Sequence, residues 1–326
     1  MDNEIHFSSR LDLNELSKTT AKVEEEIGKV IVGQKDLIRQ MLIAILANGH
    51  VLIEGVPGIA KTLAVKLMAK AIDAKYSRIQ FTPDLMPSDV TGTNIFNLSK
   101  GEFQFIQGPV FANIVLIDEI NRAPAKTQSA LFEVMEERQI TVEGKPYIMD
   151  KPFLVFATQN PIEHEGTYRL PEAQLDRFLF KVIVNYPTLE EEVEILHRTL
   201  NRKNRLETED VSQVINSNQI NGFQNLVKEV NVEESLRTYI AQLVNKTRNH
   251  NALFLGASPR ASIFIMNAAR ANAVLEGRDF ITPEDIRYVF YPILNHRIQL
   301  TPEKELEGQT IRNVINNIIQ SMEVPR

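Results

Sequence analysis

The chain contains no cysteine, so disulfides and thiolate metal sites are excluded. Its six histidines form no cluster at the spacing of metal ligands. The first ten residues lack the apolar core of a signal peptide, and no uninterrupted apolar run approaches the ~20 residues of a membrane-spanning helix. We therefore expect a cytoplasmic protein that does not insert into a membrane.

The chain also lacks an excess of positive charge. Its 36 lysines and arginines are outnumbered by 42 aspartates and glutamates, which gives a formal net charge of −6. Proteins that bind nucleic acid mainly through its phosphates are usually basic, so nucleic acid is not an expected partner. Hydrophobic residues make up 43% and charged residues 24% of the 326 residues, as in ordinary globular proteins. This length suits two domains.

A glycine-rich turn, GVPGIAKT at 55–62, lies between a predicted strand and a predicted helix. The apolar run 51–53 is typical of a buried strand, and residues 63–71 have helical composition and spacing. Backbone N–H groups in such a turn point at the phosphates of a nucleotide, and the positive end of the helix dipole lies behind them. Lys61 would reach the β- and γ-phosphates, and the Thr62 hydroxyl would bind Mg²⁺. The turn therefore predicts ATP and Mg²⁺ as ligands.

The general form of this motif has glycine immediately before the lysine, where this chain has Ala60. An ordinary glycine turn between a strand and a helix is the alternative interpretation, and the Lys-Thr pair disfavours it. The predicted nucleotide-binding residues of this segment are Gly55, Val56, Pro57, Gly58, Ile59, Ala60, Lys61, Thr62 and Leu63.

Four further segments have the pattern of core strands. The runs 114–117 and 153–157 are continuously apolar, which is typical of central strands covered on both faces. Residues 78–81 and 178–184 are predicted to add two more strands.

Two hairpins are predicted at 94–105 and 139–147, where apolar and polar residues alternate around turn residues. After the last strand, strand signals fade and helices dominate. We therefore predict N-terminal helices and a nucleotide-binding core at 1–186, followed by a helical domain at 187–326.

Two adjacent carboxylates, Asp118 and Glu119, directly follow the predicted strand 114–117. Ligands of open α/β sheets bind beyond the carboxyl ends of the strands. Asp118 is predicted to bind Mg²⁺, and Glu119 to orient and deprotonate the attacking water, because Mg²⁺ takes only one or two carboxylates. A pair of solvated acids at a strand end is the alternative.

Asn160 follows the predicted strand 153–157 and could hydrogen-bond both the γ-phosphate and the attacking water. An asparagine that begins a turn before Pro161 is the alternative.

Two arginines complete the set of candidate catalytic residues. Arg177 begins a predicted strand, and Arg260 falls in the first turn of a helix that Ser258 would cap. A cation opposes the dipole there, so Arg260 is expected to contact an anion such as the γ-phosphate. A surface arginine that tolerates a small loss of stability is the alternative.

The order of these motifs resembles that of AAA+ ATPases, and within them the MoxR family. The segments that carry the resemblance are GVPGIAKT, DEINRAPAKTQSALFEVMEE at 118–137, ATQNPIEHEGTYRLPEAQLDRF at 157–178 and Ser258-Pro259-Arg260. Ala60 is similar to what this family has before the lysine. His164 and Arg169 depart from the glutamine and proline expected there, which puts partner contacts in doubt.

The resemblance implies an α/β fold: a P-loop AAA+ core, two β-hairpin inserts that face the pore or top of a ring, and a small all-α lid domain. With the core strands numbered along the chain, it implies a five-stranded parallel sheet of order 5-1-4-3-2. Rings of such proteins, usually hexamers, bind ATP between subunits. Arg177 would then be the arginine finger for a neighbour's γ-phosphate, Arg260 the second sensor, and Val32 and Gly33 would lie by the adenine.

MoxR proteins resemble chaperones that mature other proteins or insert their cofactors, often with a partner that has a von Willebrand factor A domain. The resemblance therefore implies an Mg²⁺-dependent ATPase that remodels a client protein. Two alternatives are a ring motor stimulated by nucleic acid, which the acidic composition disfavours, and a scaffold that changes shape on binding nucleotide.

Overall fold

The computed structural model describes residues 11–161, 167–201 and 207–325. The strands are β1 (His50–Glu54), β2 (Tyr76–Gln80), β3 (Gly92–Asn97), β4 (Glu102–Gln107), β5 (Ile114–Asp118), β6 (Gln139–Val142), β7 (Lys145–Ile148), β8 (Leu154–Gln159), β9 (Phe178–Ile183), β10 (Leu253–Leu255) and β11 (Gln299–Leu300). The helices are α1 (Asn14–Gly28), α2 (Lys35–Leu46), α3 (Lys61–Ala71), α4 (Pro87–Thr91), α5 (Ala125–Glu137), α6 (Glu172–Leu175), α7 (Leu189–Asn201), α8 (Ser217–Glu229), α9 (Glu234–Arg248), α10 (Pro259–Leu275), α11 (Pro283–Leu294), α12 (Pro302–Leu306) and α13 (Ile311–Gln320). Short 3₁₀ turns cover Ile120–Arg122 and Glu207–Asp210.

The central sheet has five strands in the order β2-β5-β8-β1-β9, all parallel. When the five core strands alone are numbered along the chain and the sheet is read from β9, this is the predicted order 5-1-4-3-2. The second strand begins at Tyr76, two residues earlier than the predicted 78–81. The carboxyl ends of β1, β5 and β8 lie side by side, so the segments that follow them meet at one edge of the sheet.

Both faces of the sheet are covered, as the continuous apolar runs predicted. Side chains alternate along β5: Ile114 and Leu116 belong to one hydrophobic cluster, and Val115 and Ile117 belong to the other. The first cluster includes buried residues of α1, α2 and α3, and the second includes those of α5. The sheet is therefore a rigid support for the residues at its edge.

Both predicted hairpins are present, as β3 paired with β4 and β6 paired with β7. They touch one another through Phe105 and Tyr147, whose ring centroids are 4.4 Å apart. Phe96 and Phe103 form a second aromatic pair on the first hairpin, and both rings are about half exposed or more.

The region after β9 is helical, as predicted, and it also contains a short antiparallel pair, β10 with β11, that the sequence did not indicate. The buried apolar residues of this helical region belong to the same hydrophobic cluster as those of α1, α2 and one face of the sheet. The predicted domain boundary between residues 186 and 187 stays a prediction. No helix in the described part of the chain combines the length and the apolar character needed to cross a membrane.

Candidate nucleotide-binding site

A cavity of about 660 Å³ lies at the carboxyl edge of the sheet. It brings together residues from the loop after β1, one face of β2, the carboxyl ends of β5 and β8, and the first half of α3. Its lining residues are Pro57, Gly58, Ala60, Lys61, Thr62, Leu63, Lys66, Tyr76, Arg78, Gln80, Asp118, Glu119, Thr158, Gln159 and Asn160.

The loop after β1 has the backbone of a tight turn, which explains two of its residues. A Cβ on Gly55 would lie 2.8 Å from the backbone oxygen of Val184, so only glycine fits against the end of β9. Gly58 has φ +85°. Ala60 also has a left-handed conformation, with φ 61° and ψ 21°. The position where the general motif has glycine therefore requires the glycine-like conformation, and Ala60 adopts it at a cost of roughly 1–2 kcal/mol.

Lys61 and Thr62 form the first turn of α3 and face the strand ends. The Lys61 ammonium group donates to the backbone oxygens of Gly55 and Val56, the latter at 2.9 Å. The Thr62 hydroxyl donates to Asp118 Oδ1 at 3.1 Å. The two residues predicted to bind Mg²⁺, from α3 and β5, are therefore in direct contact.

A buried threonine that the sequence did not single out connects the two carboxylate residues. The Thr158 hydroxyl donates to Asp118 Oδ1 at 3.0 Å and accepts from the Glu119 backbone N–H at 3.1 Å. Glu119 has φ 56°, an unfavourable left-handed conformation for a residue with a side chain. Thr158 therefore helps to hold the backbone of Glu119 in this strained turn.

Two further polar residues of the cavity come from β2, and sequence reasoning missed both. Arg78 Nε donates to Asp118 Oδ2 at 2.6 Å, and Gln80 Nε2 donates to Glu119 Oε2 at 2.9 Å. Glu119 also lies 2.9 Å from Arg122 Nε. Arg78 and Gln80 are two residues apart in the sequence, so their side chains could be expected on the same face of a strand. Their contacts with Asp118 and Glu119 depend on the pairing of β2 with β5, in which Gln80 lies opposite Asp118.

The donor set of this cavity fits a magnesium nucleotide. The Thr62 hydroxyl and the Asp118 carboxylate are hard oxygen ligands, and Mg²⁺ usually binds through few protein ligands of this kind together with phosphates and waters. The Tyr76 hydroxyl is buried beside the cavity without a hydrogen-bond partner among the described residues. Burial and the Asp118 carboxylate raise the pKa of Tyr76 to about 12, which keeps this hydroxyl a neutral donor. No group of three or more His, Cys, Asp or Glu side chains in the described ranges is arranged as a metal site by itself.

Asn160 lies in the same cavity, directly after β8, and is 7% exposed. The structure therefore brings Lys61, Thr62, Asp118, Glu119 and Asn160 together at one cavity.

Arg177 and Arg260 lie elsewhere, at the opposite edge of the sheet. His50, the first residue of β1, pairs with Phe178, the first residue of the parallel strand β9. Arg177 precedes Phe178, whereas the phosphate-binding loop follows the other end of β1. The five residues of β1 are separated by four steps of ~3.3 Å, so its two ends lie roughly 13 Å apart. Arg177 therefore does not line the cavity formed by its own chain.

At that edge both arginines contact carboxylates of the same chain. Arg177 Nη2 lies 2.6 Å from Glu136 Oε2, and Arg260 Nη2 lies 3.2 Å from Glu136 Oε1. Helix α10 begins at Pro259 as predicted, but the Ser258 side chain does not cap it and instead donates to Asp176 Oδ2 at 3.4 Å. Among the described residues, Arg260 therefore contacts two carboxylates, Glu136 and Asp176, with 3.8 Å between its Nε and Asp176 Oδ2.

Val32 and Gly33 line a second cavity of about 840 Å³, next to α2 and α7. Gly33 has φ +84° and lies against the Glu191 carboxylate. Gln34 donates to the backbone oxygen of Asn185 at 3.1 Å, which ties this segment to the end of β9 beside the phosphate-binding loop.

Of the two departures from the family pattern, His164 lies outside the described residues. Arg169 is exposed and lies 3.9 Å from Glu172.

The loop, the paired carboxylates and the sheet order define a P-loop ATPase of the AAA+ class. Residues 50–180 match the family model described as the ATPase family associated with various cellular activities, and residues 245–318 match the AAA lid domain. The crystal structure of a Cytophaga hutchinsonii protein described as a candidate ATPase superimposes with a TM-score of 0.89 at 45% identity, and the match covers 97% of each chain.

Comparison with related proteins identifies the family within the AAA+ class. The uncharacterized protein YeaC of Bacillus subtilis is 47% identical over 95% of this chain and 96% of its own length. Chaperone MoxR1 of Mycobacterium tuberculosis is 45% identical over 92% of this chain and 81% of its own length, and Protein MoxR of Methylorubrum extorquens is 30% identical over 96% and 97%. The chain belongs to the MoxR family of AAA+ ATPases.

Proposed function

We propose that this protein is a chaperone-like ATPase whose subunits share their catalytic sites in a ring and use Mg²⁺-dependent ATP hydrolysis to remodel a client protein. The single observation that supports the shared site best is the separation of the candidate residues onto two edges of one sheet. Lys61 and Glu119 lie at the carboxyl edge, and Arg177 lies at the amino edge. A head-to-tail contact between copies would bring the two edges together.

At the carboxyl edge, the loop N–H groups and Lys61 bind the phosphates, while Thr62 and Asp118 would hold Mg²⁺. When bound, Mg²⁺ would neutralise charge that develops on the phosphate oxygens. Arg78 and Thr158 fix the orientation of the Asp118 carboxylate through the hydrogen bonds described above. We propose that Val32 and Gly33, across the end of β9, lie by the adenine.

Glu119 is the proposed general base. Gln80 and Arg122 contact its side chain, and Thr158 holds its backbone, so its carboxylate is fixed beside the cavity. It would accept a proton from the attacking water, and Asn160 would orient that water and the γ-phosphate. Arg177 and Arg260 would stabilise the negative charge of the transition state in the neighbouring subunit.

The base is tested with Glu119→Gln, which keeps the size of the side chain and removes its basicity. We expect ATP hydrolysis to fall by roughly 10²- to 10⁴-fold while ATP binding is retained. Glu137→Gln, the same change at an exposed position of α5, is the matched control and should hydrolyse ATP like the parent. Parental turnover in Glu119→Gln would exclude Glu119 as the base, and absence of turnover in the parent with clients present would favour a nucleotide-switched scaffold.

The shared site is tested by mixing two variants that each keep only a small, measurable residual activity alone, Glu119→Gln and Arg177→Ala. In a mixed ring, an intact Glu119 of one chain can meet an intact Arg177 of the other. Random mixing in equal amounts should restore up to about one quarter of parental activity, since each half of a working site comes from one of two chains. A mixture that stays inactive although the chains co-assemble would show that both residues act within one subunit.

The finer parts of the proposal concern partners. Similarity to a protein named as a chaperone supports a protein client. We propose in addition a hexameric ring, a partner with a von Willebrand factor A domain and a cytoplasmic location, which the family resemblance implies. Insertion of a metal or cofactor into the client is one form that remodelling would take. Purification of complexes trapped by Glu119→Gln, with the parent as control, tests for the client and the partner together. DNA that stimulates turnover in a salt-sensitive way would favour a nucleic-acid motor.

A further inference from the structure

Glu136, near the end of α5, contacts both candidate arginines at the amino edge of the sheet. Its Oε2 accepts from Arg177 Nε at 2.7 Å and lies 2.6 Å from Nη2 of the same guanidinium. Its Oε1 accepts from Arg260 Nη2 at 3.2 Å. One carboxylate thus holds one arginine from the core and one from the lid.

The neighbours of Glu136 fix this arrangement to the protein interior. Arg177 lies over the ring of the buried Phe132, with 5.9 Å between Cζ and the ring centroid. Asp176 lies 3.8 Å from Arg260 Nε and 2.7 Å from Nε of Arg297, which is 6% exposed. Arg297 also donates to the backbone oxygens of Asp176 and Leu179, at 3.0 and 3.2 Å. Besides Glu136, the Phe132 ring therefore contacts Arg177, and Asp176 contacts Arg260.

Two guanidinium groups held this close repel each other, and the attraction of both to the Glu136 carboxylate offsets that repulsion. Hydrogen bonds from Arg177, and the charge of Arg260, hold the pKa of Glu136 below its ordinary value, so it stays ionised near neutral pH. The side chains of Arg177 and Arg260 are 27% and 43% exposed, so both can still donate to a second anion.

We propose that Glu136 is a positioning residue that holds Arg177 and Arg260 together, so that both meet the γ-phosphate in the neighbouring subunit. This inference rests on the proposed function, because it needs the arginines to act on another chain. Glu136 does not touch the nucleotide. It acts through the two arginines, and its loss leaves the phosphate-binding loop of its own chain unchanged.

The test is Glu136→Gln, which keeps the shape of the side chain but removes the charge that separates the two cations. We expect kcat for ATP to fall by about 10- to 100-fold, with KM within about twofold because the ground-state contacts to ATP lie at the other edge. Glu136→Asp keeps the charge and should retain an intermediate kcat. Glu137→Gln, next to it on α5, is the control and should keep parental kcat and KM. Thermal unfolding of each variant checks that the fold is intact.

A double variant separates positioning from a general structural role. If Glu136 acts through Arg177, then Glu136→Gln added to Arg177→Ala should lower kcat by much less than it does in the parent. Parental kcat in Glu136→Gln, an equal additional loss in the double variant, or activities of Glu136→Gln and Glu137→Gln that fall together would overturn the inference. If Arg177→Ala itself keeps parental activity, the shared site fails and this inference fails with it; an inactive Arg177→Ala beside a fully active Glu136→Gln overturns the role of Glu136 alone.

Discussion

Replacing Thr158 by valine removes one hydroxyl from the centre of the site and almost nothing else. Valine has the same shape, so packing in β8 is preserved, but the Glu119 backbone N–H loses its acceptor and Asp118 loses a donor. Thr158 is 3% exposed, so water cannot easily replace the hydroxyl. A buried donor left without a partner costs about 1–3 kcal/mol. We expect the free energy of unfolding to fall by that amount.

The same change should affect catalysis, because Glu119 has a left-handed backbone conformation that costs roughly 1–2 kcal/mol. Without the bond to Thr158, the turn can relax and move the carboxylate away from the attacking water. Since a well-placed general base contributes about 10²- to 10⁴-fold, partial misplacement should lower kcat by about 10-fold or more. ATP binding should change little, since Lys61 and the loop are untouched.

Urea denaturation and steady-state ATPase assays of Thr158→Val, with Thr158→Ser as the matched variant, test this reasoning. Serine loses a buried methyl group, at a cost of about 1 kcal/mol, but keeps the hydroxyl. We expect Thr158→Ser to be less stable than the parent and nearly as active, so that activity follows the hydroxyl and not stability. Equal kcat values for the valine and serine variants would refute the role of this hydrogen bond.

Two further predictions concern stability. Ala60→Gly should raise the free energy of unfolding by about 1 kcal/mol in urea denaturation, because relief of the left-handed strain exceeds the added entropy of the unfolded chain; Ala64→Gly, inside α3, should lower it by about 1 kcal/mol or more, and a loss in both variants would contradict the strain at Ala60. Burial, with the charge of Arg138, lowers the pKa of His50 to about 3. The unfolded state therefore binds a proton near pH 6.5 that the folded state refuses, and stability should fall by up to about 1.4 kcal/mol per pH unit as the pH drops from 6.5 toward 3. His50→Gln should make the pH dependence of urea unfolding shallower by about one proton between pH 6.5 and 5, whereas an unchanged slope would mean that His50 does not titrate in this way.

Several site residues were predictable because the chain places them directly after apolar runs. The phosphate-binding loop and Asn160 each follow a core strand, Asp118 is the last residue of another, and parallel strands bring their carboxyl ends to one edge. Ala60 departed from the general motif in the sequence, yet its backbone has the conformation that the motif requires.

Other residues of the site could not be predicted because their contacts join segments far apart in the chain. Arg78 meets Asp118 only because β2 pairs with β5 in one particular register. Thr158 was visible as part of β8, but its two hydrogen bonds depend on the left-handed turn at Glu119. Glu136 was one of several acidic residues of α5, and nothing in its spacing indicated two arginine partners.

The sequence by itself predicted the class of ligand and the residues proposed for the phosphates and the metal, because that chemistry depends on short motifs that follow strand ends. It also determined the order of the sheet, through resemblance to a known family. Only the tertiary structure decided where those residues stand relative to the two arginines. The parallel pairing of β1 with β9 fixes Arg177 at the edge opposite the phosphate-binding loop, and α5 and α10 then bring Glu136 and Arg260 to the same place. The strands acquire a common carboxyl side and a common amino side only when they pair in parallel. The two halves of the proposed catalytic site lie on these opposite sides.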